Sequence, residues 1–463
     1  MLDPRKTKDT IAAVATPPGE GGVGIIRISG PQSRALALAL FRAESASFTD
    51  FIPHHLHYGR LLDREGRVLD DILAAFMPGP NSFTGEDVAE LHCHGGRAVL
   101  GAVLDELLAR GARLAERGEF TYRAFLNGRM DLTQAEAVAE LIHAPTKAAV
   151  HLAQVKRSGM LGQRIRELRA RLEDLRAKLV VAVDFPDDEV ECLSTEELAE
   201  TSTSVRGDIT ALLAAVDRAR AWREGPLAVL AGRVNAGKSS LMNGLLGRDR
   251  AIVTDQPGTT RDYLEETLNL DGLNVRLADT AGLRATEDMV EAAGLKMGRE
   301  LMDRADLVLL LADGCHPVED ETLETASALG PDKAMALLTK ADREDFDPAN
   351  AAPLSALGLE VLPVSSKSGE GLDRLCARLR ERLLGGAGQP DPDELAPNAR
   401  QAATLAEAAA ELDQLSLDAE AGVPYDLLGV RLETATTLLA AITGDIAPDD
   451  VLNSIFDSFC IGK

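Results

Sequence analysis

The residues best suited to chemistry form a glycine-rich loop in the middle of the chain, residues 232–239, GRVNAGKS. The pattern G-x-x-x-x-G-K-[ST] binds nucleotide phosphates because its glycines let backbone N–H groups converge on them. An apolar segment that fits a buried strand precedes the loop, and residues that fit a helix follow it, so the helix N-terminus adds partial positive charge. We expect Lys238 to reach the β- and γ-phosphates and the Ser239 hydroxyl to ligate Mg²⁺.

Further motifs follow strand-like segments and favour guanine as the base. The motif DTAG begins at Asp279, which is expected to hold Mg²⁺ through water, while the N–H of Gly282 meets the γ-phosphate. TKAD ends in Asp342, whose carboxylate can accept from N1–H and the 2-amino group of guanine, groups that adenine cannot provide. SSK at 365–367 would offer a backbone N–H to guanine O6, and TDQPGTTR at 254–261 fits a switch segment that closes over the γ-phosphate.

These motifs together predict a guanine-nucleotide switch. The predicted GTP-binding residues are Asn235, Ala236, Gly237, Lys238, Ser239, Ser240, Thr254, Asp255, Gln256, Pro257, Gly258, Thr259, Thr260, Asp279, Thr280, Ala281, Gly282, Thr339, Lys340, Ala341, Asp342, Ser365, Ser366 and Lys367.

The residue after DTAG bears on hydrolysis. Ras-like switches have a glutamine there that positions the attacking water, whereas this chain has Leu283, which cannot do so. Help must therefore come from elsewhere, and the candidates downstream are Arg284, Glu287, Asp288 and Glu291. Asn235 in the phosphate loop could help to hold a monovalent cation, which can play the part of an arginine finger.

The elements that must position these residues divide the chain into four parts. Residues 1–120 have the mixed pattern of an α+β domain, and 121–222 are helical. Residues 223–383 alternate strand and helix, which indicates a mostly parallel sheet with helices on both faces. Helical patterns resume over 384–463, after a linker rich in proline and acid. We interpret the two helical stretches as one domain with the nucleotide domain inserted into it, since insertions succeed where termini are close.

Two local patterns have both a structural and a functional interpretation. Apolar residues spaced alternately by four and three between 161 and 179 are typical of a coiled-coil dimer or of a helix in a bundle. The stripe is shorter than three heptads, which favours the bundle. His92 and His94 would share one face of a strand and could begin a metal site. No further ligand follows at standard spacing, which favours ordinary strand histidines.

Composition excludes several classes of function. The 463 residues carry a net charge of −25, which argues against a broad phosphate-binding surface, so a nucleic-acid substrate would need a local patch or a second protein. No segment approaches the roughly 20 apolar residues of a membrane span, and the N-terminus lacks an apolar signal segment. The five scattered cysteines without C-x-x-C predict a reducing cytoplasm.

The chain resembles the MnmE (TrmE) family of tRNA-modifying GTPases over essentially its full length. The nucleotide domain alone would be shared with Era- and EngA-like GTPases, so the distinguishing stretches lie outside it. They are GGVGIIRISG at 21–30, TGED at 84–87 with Glu90, GEFT at 118–121 through AFLNGR at 124–129, and FCIGK at 459–463.

The resemblance implies an N-terminal domain that dimerises and binds 5,10-methylene- or 5-formyl-tetrahydrofolate. By motif position, its folate contacts would be Arg27, Glu90, Arg129 and Lys463. Cations can bind the carboxylates in the glutamate tail of folate, and a protein carboxylate can accept hydrogen bonds from its pterin ring. The family often has lysine where this chain has Arg129, so the cationic role should survive with altered geometry.

The resemblance also implies that GTP is hydrolysed after the nucleotide domains pair across a homodimer. Glu291 would orient the attacking water, with Arg284 as a further catalytic candidate. K⁺ would be held by Asn235, Thr254, Gln256 and Thr259, and Mg²⁺ by Ser239 and Thr260.

The function implied by the family is a modification of tRNA. With the flavoprotein MnmG, which carries FAD, its members build a carboxymethylaminomethyl or aminomethyl group on C5 of the wobble uridine of certain tRNAs, in a heterotetramer or larger assembly. The one-carbon unit comes from folate. Cys460 could add to a uracil ring or carry an intermediate, or it could be a small apolar residue in a docked tail.

The competing function is that of an Era-like, GTP-dependent ribosome assembly factor. Such factors usually attach a basic RNA-binding module, whereas this acidic chain has the folate-type motifs and the terminal CIGK. Two residues depart from the family pattern. Thr339 replaces an asparagine that would bond guanine N7 and brace the loop, so affinity is expected to fall while specificity holds. Val234 replaces a proline and is expected to matter little.

Overall fold

The structure is a computed structural model that describes residues 9–184, 194–247, 265–279, 291–385, 391 and 393–462. It divides into two compact units. The first, the sheet-and-helix unit, comprises Met1–His143, Ala153–Leu213 and Pro397–Lys463. The second, the nucleotide unit, comprises Ala144–Leu152 and Ala214–Ala396. The four domain boundaries drawn from the sequence stay predictions.

The helices are described by their bounds. They are α1 (Ser33–Leu40), α2 (Arg97–Ala109), α3 (Glu119–Leu126), α4 (Leu132–His143), α5 (Lys147–Arg157), α6 (Met160–Asp184), α7 (Thr195–Glu224), α8 (Lys238–Leu246), α9 (Glu291–Arg304), α10 (Asp320–Lys333), α11 (Ala352–Ala356), α12 (Leu372–Leu384), α13 (Ala399–Glu420), α14 (Tyr425–Thr443) and α15 (Asp449–Asp457). A short 3-10 helix, Pro348–Ala351, precedes α11.

The strands form two sheets. They are β1 (Ile11–Val14), β2 (Gly24–Ser29), β3 (Phe41–Ala43), β4 (Leu56–Leu62), β5 (Val68–Met77), β6 (Val88–Cys93), β7 (Arg113–Leu114), β8 (Leu227–Gly232), β9 (Glu265–Leu270), β10 (Leu273–Asp279), β11 (Leu307–Asp313), β12 (Ala334–Thr339) and β13 (Val361–Pro363).

The N-terminal sheet has the strand order β3-β4-β5-β6-β2-β1-β7. All its pairings are antiparallel except β1 with β7. One face packs with α1 and α2 around apolar residues such as Ile26, Leu91 and Val103. Successive side chains of a strand point to opposite faces, and on the other face Tyr58 of β4 and Leu73 of β5 are exposed. The face opposite α1 and α2 is therefore open at β4 and β5, as antiparallel sheets allow, whereas Phe120 of α3 covers it at β1, against Ile11 and Ala13.

The apolar stripe of α6 is buried within the single chain. Its residues are Leu161, Ile165, Leu168, Leu172, Leu175 and Leu179, none more than 2% exposed. The helix packs against α14, and Leu179 closely approaches Gly429 there. The stripe therefore belongs to a helical bundle, which confirms the prediction that favoured the bundle over a coiled-coil dimer.

The sheet of the nucleotide unit has the order β13-β12-β11-β8-β10-β9. Its pairings are parallel except for β9 with β10. Leu230 and Leu309 lie in the core on one face, and Val229 and Leu310 lie in the core on the other. Burial on both faces explains why these strands are continuous apolar runs. The predicted fold class, an α+β N-terminal part, helices and a P-loop domain with a mostly parallel sheet, is confirmed.

None of the helices in the described ranges is long and apolar enough to cross a membrane.

Candidate functional site

The phosphate loop joins the end of β8 to the start of α8, and its backbone requires glycine. Gly232 and Gly237 have φ angles of 140° and 95°, which L side chains rarely adopt. A Cβ atom on Gly232 would lie 2.5 Å from the carbonyl oxygen of Leu311 on the neighbouring strand. Asn235 has a φ of 63°, a left-handed conformation in which asparagine is enriched. The loop thus wraps the N-terminus of α8, the predicted place for phosphates.

Lys238 and Ser239 are the first residues of α8 and carry the side chains expected to contact the phosphates and Mg²⁺. The Lys238 ammonium donates to the carbonyl oxygens of Gly232 at 2.6 Å and Arg233 at 2.7 Å, so it lies across the loop. The Ser239 hydroxyl donates to Asp279 Oδ2, at 3.2 Å. A hydroxyl and a carboxylate are the hard oxygen donors that Mg²⁺ prefers, so these two residues fit the ion.

Thr339 ties the base-reading segment to the phosphate loop. Its hydroxyl is buried, lies 2.9 Å from the carbonyl oxygen of Ala236 and 3.2 Å from that of Ala312, and can donate to either. The sequence led us to expect that threonine would weaken the bracing that asparagine provides. The structure shows instead that the hydroxyl braces the loop, because its short side chain reaches Ala236 directly.

The base-reading carboxylate is exposed and held in place. Asp342 Oδ1 accepts a hydrogen bond of 2.6 Å from the Ser365 hydroxyl, which in turn accepts from the backbone N–H of Lys367 at 3.2 Å. The hydrogen bond from Ser365 lowers the pKa of Asp342 below its ordinary value, so the carboxylate is ionised at neutral pH. An ionised carboxylate can accept two N–H groups of a guanine ring.

Lys340 and Ala341 position this carboxylate. Lys340 has a left-handed φ of 64°, and its ammonium lies 2.6 Å from Asp313 Oδ2 at the end of β11. The backbone N–H of Ala341 donates to the carbonyl oxygen of Val364. The base-reading segment is thereby fixed to β11 and to the residues that follow β13, which places TKAD and SSK side by side.

Several predicted site residues lie outside the described residues. They are Thr254, Asp255, Gln256, Pro257, Gly258, Thr259, Thr260, Thr280, Ala281, Gly282, Arg284 and Lys463. The structure describes the backbone of Glu291, where α9 begins, but not its side chain. The roles assigned to these residues stay predictions.

A second constellation lies on the N-terminal sheet around Arg27. Arg27 on β2 is directly opposite Glu90 on β6, and Arg27 Nε is 2.9 Å from Glu90 Oε1. The guanidinium carbon lies 5.4 Å from the ring centroid of Phe83 and 5.7 Å from that of Phe120, distances at which a cation is attracted to an aromatic face. A guanidinium nitrogen also lies 3.4 Å from the carbonyl oxygen of Gly462. Arg27 is therefore held by four separate contacts.

The C-terminal tail reaches this constellation through close packing. Phe459 is 2% exposed, and its ring centroid lies 5.5 Å from that of Phe456. Gly462 has a φ of 93°, and a Cβ atom there would lie 2.2 Å from the carbonyl oxygen of Val14. Cys460 is exposed between them. Packing in the tail thus comes from Phe459, while the thiol of Cys460 faces outward.

The four predicted folate contacts are only partly brought together. Arg27 and Glu90 form a pair, and Gly462, the residue before Lys463, lies against Arg27. Arg129 is exposed, and its aliphatic stem lies against Gly85 in the TGED motif.

Sequence reasoning missed a buried ionic network next to this constellation. Arg123 is fully buried, donates to Asp9 Oδ1 at 2.5 Å and to Glu119 Oε1 at 2.9 Å, and has Glu86 Oε2 at 3.3 Å. The network is made by Asp9, Glu86, Arg113, Glu119 and Arg123. Glu86 belongs to TGED, so the network anchors the loop that carries Phe83. The motifs TGED and GEFT contain two of these residues, Glu86 and Glu119, yet their spacing does not reveal that the side chains meet.

The two histidines have different carboxylate neighbours. His92 Nε2 lies 3.4 Å from Glu90 Oε2, and His94 Nδ1 lies 2.6 Å from Asp70 Oδ1. Over the part of the chain that the structure describes, no cluster of three or more histidine, cysteine or acidic side chains could hold a metal ion. The preference for ordinary strand histidines stays a prediction.

Comparison with known proteins extends beyond the nucleotide unit. The family model described as "MnmE helical domain" matches residues 132–460, and that described as "GTP-binding protein TrmE N-terminus" matches residues 10–129. The tRNA modification GTPase MnmE of Nitratidesulfovibrio vulgaris (strain DP4) is 54% identical over 457 residues, 98% of this chain and 99% of the relative. The protein of the same name from Lawsonia intracellularis is 46% identical, over 98% of this chain and 100% of the relative. A crystal structure of Aquifex aeolicus Era is 22% identical over 40% of this chain and 65% of that chain, with a TM-score of 0.28.

Proposed function

The chain belongs to the MnmE family of tRNA modification GTPases. From this premise we propose what the nucleotide site and the Arg27 constellation each do. The protein is a GTP hydrolase that acts in tRNA modification, with tRNA as the substrate. One observation carries this conclusion: the likeness to family members covers 98% of the chain, including the N-terminal and helical parts. An Era-like assembly factor is not favoured, because those parts are what distinguish this family.

Nucleotide selection follows from the geometry of the nucleotide unit. Asp342 is ionised and exposed, so it can accept the N1–H and 2-amino groups that distinguish guanine from adenine. Lys238 supplies a cation at the phosphate loop. Ser239 and Thr260 would ligate Mg²⁺, and Asp279, which accepts from the Ser239 hydroxyl, would hold the ion through water. Mg²⁺ neutralises charge that develops on the phosphates.

We further propose that K⁺ stimulates hydrolysis. Leu283 cannot orient water, so the transition state needs another source of stabilisation. Asn235 is exposed in the phosphate loop in a left-handed conformation that an amide side chain tolerates, which supports it as a ligand. The predicted set is Asn235, Thr254, Gln256 and Thr259, with Glu291 orienting the water and Arg284 assisting. A cation there would add positive charge beside the phosphates.

The N-terminal sheet supports the proposal of a homodimer. Leu56, Tyr58 and Leu73 are 58%, 55% and 39% exposed on neighbouring strands, β4 and β5. Exposed apolar side chains grouped on one sheet face are typical of a protein–protein interface. The FAD-carrying partner MnmG is proposed from the family resemblance, and we place the activity in the cytoplasm, where the tRNA substrate is used.

We propose that the Arg27–Glu90 pair forms part of a site for tetrahydrofolate. Arg27 holds Glu90 ionised and oriented, and an ionised carboxylate can accept from the amino group and ring N–H of a pterin. Arg129 and Lys463 are then the cations available for the glutamate tail of folate. The folate would supply the one-carbon unit for C5 of the wobble uridine. Cys460 is exposed in the same tail, and its role as a nucleophile stays a prediction.

The test is mass spectrometry of tRNA nucleosides from cells that lack this gene. We expect the wobble uridines of the affected tRNAs to lack the carboxymethylaminomethyl or aminomethyl group at C5, and the wild-type gene to restore it. Complementation with Lys238→Ala should fail, since that variant lacks the phosphate-binding cation. Unaltered wobble uridines would instead favour the ribosome-assembly function.

A further inference from the structure

An unsatisfied nitrogen of His92 lies on the open face of the N-terminal sheet. His92 Nε2 is buried, and it makes no hydrogen bond of good geometry to any group that the structure describes. Its neighbour Glu90 Oε2 is 3.4 Å away, at the long end of the hydrogen-bond range. Buried polar atoms in folded proteins are almost always hydrogen-bonded, so this nitrogen is available to a hydrogen-bonding group from outside the described residues.

The neighbours of His92 cannot supply that partner. Across the sheet, His92 is opposite Leu73 on β5 and Ile25 on β2, and both are apolar. Among the charged groups on its own face, Arg27 is taken up by Glu90, and Asp71 on β5 is paired with Arg60 on β4. His94 is different, because Asp70 accepts its backbone N–H at 2.7 Å and contacts its ring at 2.6 Å. Of the two histidines, His92 alone presents an unsatisfied nitrogen beside Glu90.

Together, His92 and Glu90 present a defined hydrogen-bonding pattern. Glu90 accepts from Arg27 on Oε1, and its Oε2 lies next to His92 Nε2. The neighbouring His92 ring and the charge and hydrogen bond of Arg27 lower the pKa of Glu90, which keeps it ionised. An anionic acceptor beside an imidazole N–H matches a flat ring edge that carries two N–H donors and then a carbonyl oxygen. The 2-amino-4-oxo edge of a pterin has this order: amino group, ring N–H, carbonyl.

We propose that His92 is a ligand-contacting residue of the folate site, and that its Nε2–H donates to the 4-oxo oxygen of the pterin while Glu90 accepts from the 2-amino group and N3–H. This inference rests on the proposed folate site and assigns it a further residue.

The experiment compares ligands with and without the 4-oxo group of the pterin. Isothermal titration calorimetry measures the affinity of the full-length protein for 5-formyl-tetrahydrofolate and for its 4-deoxo analogue. Loss of the 4-oxo group also removes the proton on N3, because the ring becomes an aromatic 2-aminopyrimidine, so the contact with Glu90 changes in every variant. The ratio of the two affinities should therefore be about tenfold larger in the wild type than in His92→Phe, the net worth of one hydrogen bond to a buried donor.

His94→Phe is the matched control, two residues along the chain and paired with Asp70. It should keep the wild-type ratio, and thermal unfolding shows whether both variants are folded. His92→Leu replaces His92→Phe should the larger ring prevent folding. A ratio of affinities in His92→Phe equal to that of the wild type would overturn the contact, even where both affinities fall. If the wild type binds neither ligand, the folate proposal itself fails, which is a different result.

Discussion

The nucleotide site and the Arg27 constellation are built in opposite ways. The phosphate loop is eight consecutive residues at the carboxyl end of a parallel strand, and it acts through backbone N–H groups and the end of a helix. The Arg27 constellation lies on the face of an antiparallel sheet and acts through side chains. Arg27 meets Glu90 across 63 positions of sequence and Gly462 across 435. A site of the first kind is a local motif, whereas a site of the second kind exists only once the fold is complete.

This contrast means that the Arg27 constellation should depend on the stability of its surroundings far more than the phosphate loop does. Arg123→Met tests that dependence. Removal of the buried guanidinium leaves Asp9, Glu86 and Glu119 with one fewer partner, and the expected loss is about 3–5 kcal/mol in the free energy of unfolding of the sheet-and-helix unit. The measurement is urea denaturation followed by circular dichroism.

The control for Arg123→Met is Arg34→Met. Arg34 pairs with Asp50 at the surface, and its side chain is 49% exposed, so its removal should cost no more than about 1 kcal/mol. Equal losses in the free energy of unfolding would mean that the buried network stabilises the unit no more than a surface ion pair does.

A crossed pair of variants tests whether the two sites are separable. Lys238→Ala should lower GTP turnover at least about 100-fold, because the phosphate cation is lost, while folate affinity stays at the wild-type value. Arg27→Ala should do the reverse, since it frees Glu90 and removes the contact with the Gly462 carbonyl oxygen. Steady-state phosphate release and calorimetry measure the two activities. Loss of both GTP turnover and folate binding in either variant would show that the two sites are not independent.

The proposed K⁺ site predicts a salt effect confined to the nucleotide unit. GTP turnover should be roughly tenfold or more faster in KCl than in NaCl at equal ionic strength. Leu283 cannot orient the attacking water, so the positive charge of the cation is needed to stabilise the transition state. Asn235→Ala should remove most of that difference, while folate affinity should be the same in both salts. Equal rates in the two salts for the wild type would eliminate the cation role of Asn235.

The smallest effect is expected at Thr339, where the nucleotide site does depend on a long-range side-chain contact. Thr339→Val removes the hydroxyl that reaches the Ala236 carbonyl oxygen and should weaken GDP binding about five- to tenfold, the worth of one buried hydrogen bond. Thr339→Ser keeps the hydroxyl and should bind GDP nearly as the wild type does. Equilibrium binding of a fluorescent GDP analogue measures both, and wild-type affinity in the valine variant would show that the brace is unimportant.

Much of the nucleotide site could be predicted because its signals are local. The glycine spacing, the apolar runs of β8, β10 and β12, and the polar residues that follow them imply one shared sheet edge. The expectation for Thr339 was incomplete, since its distance to Ala236, 103 positions away, depends on how β12 and β8 are placed in the sheet. The network around Arg123 and the environment of His92 Nε2 were not predicted, for a related reason. A buried arginine and an orphan nitrogen are defined by their surroundings, and residue type alone does not reveal them.

By itself, the sequence determined the guanine-nucleotide switch, the order of its motifs and the family to which the chain is similar. These features depend on consecutive residues whose backbone angles and periodicity are encoded locally. Tertiary structure alone decided that Arg27 lies beside Phe83 and Phe120, that the tail reaches it at Gly462, and that His92 Nε2 makes no hydrogen bond of good geometry within the described part of the chain. Those contacts depend on strand register and on tail packing, and a shift of one residue in a strand would move each side chain to the opposite face.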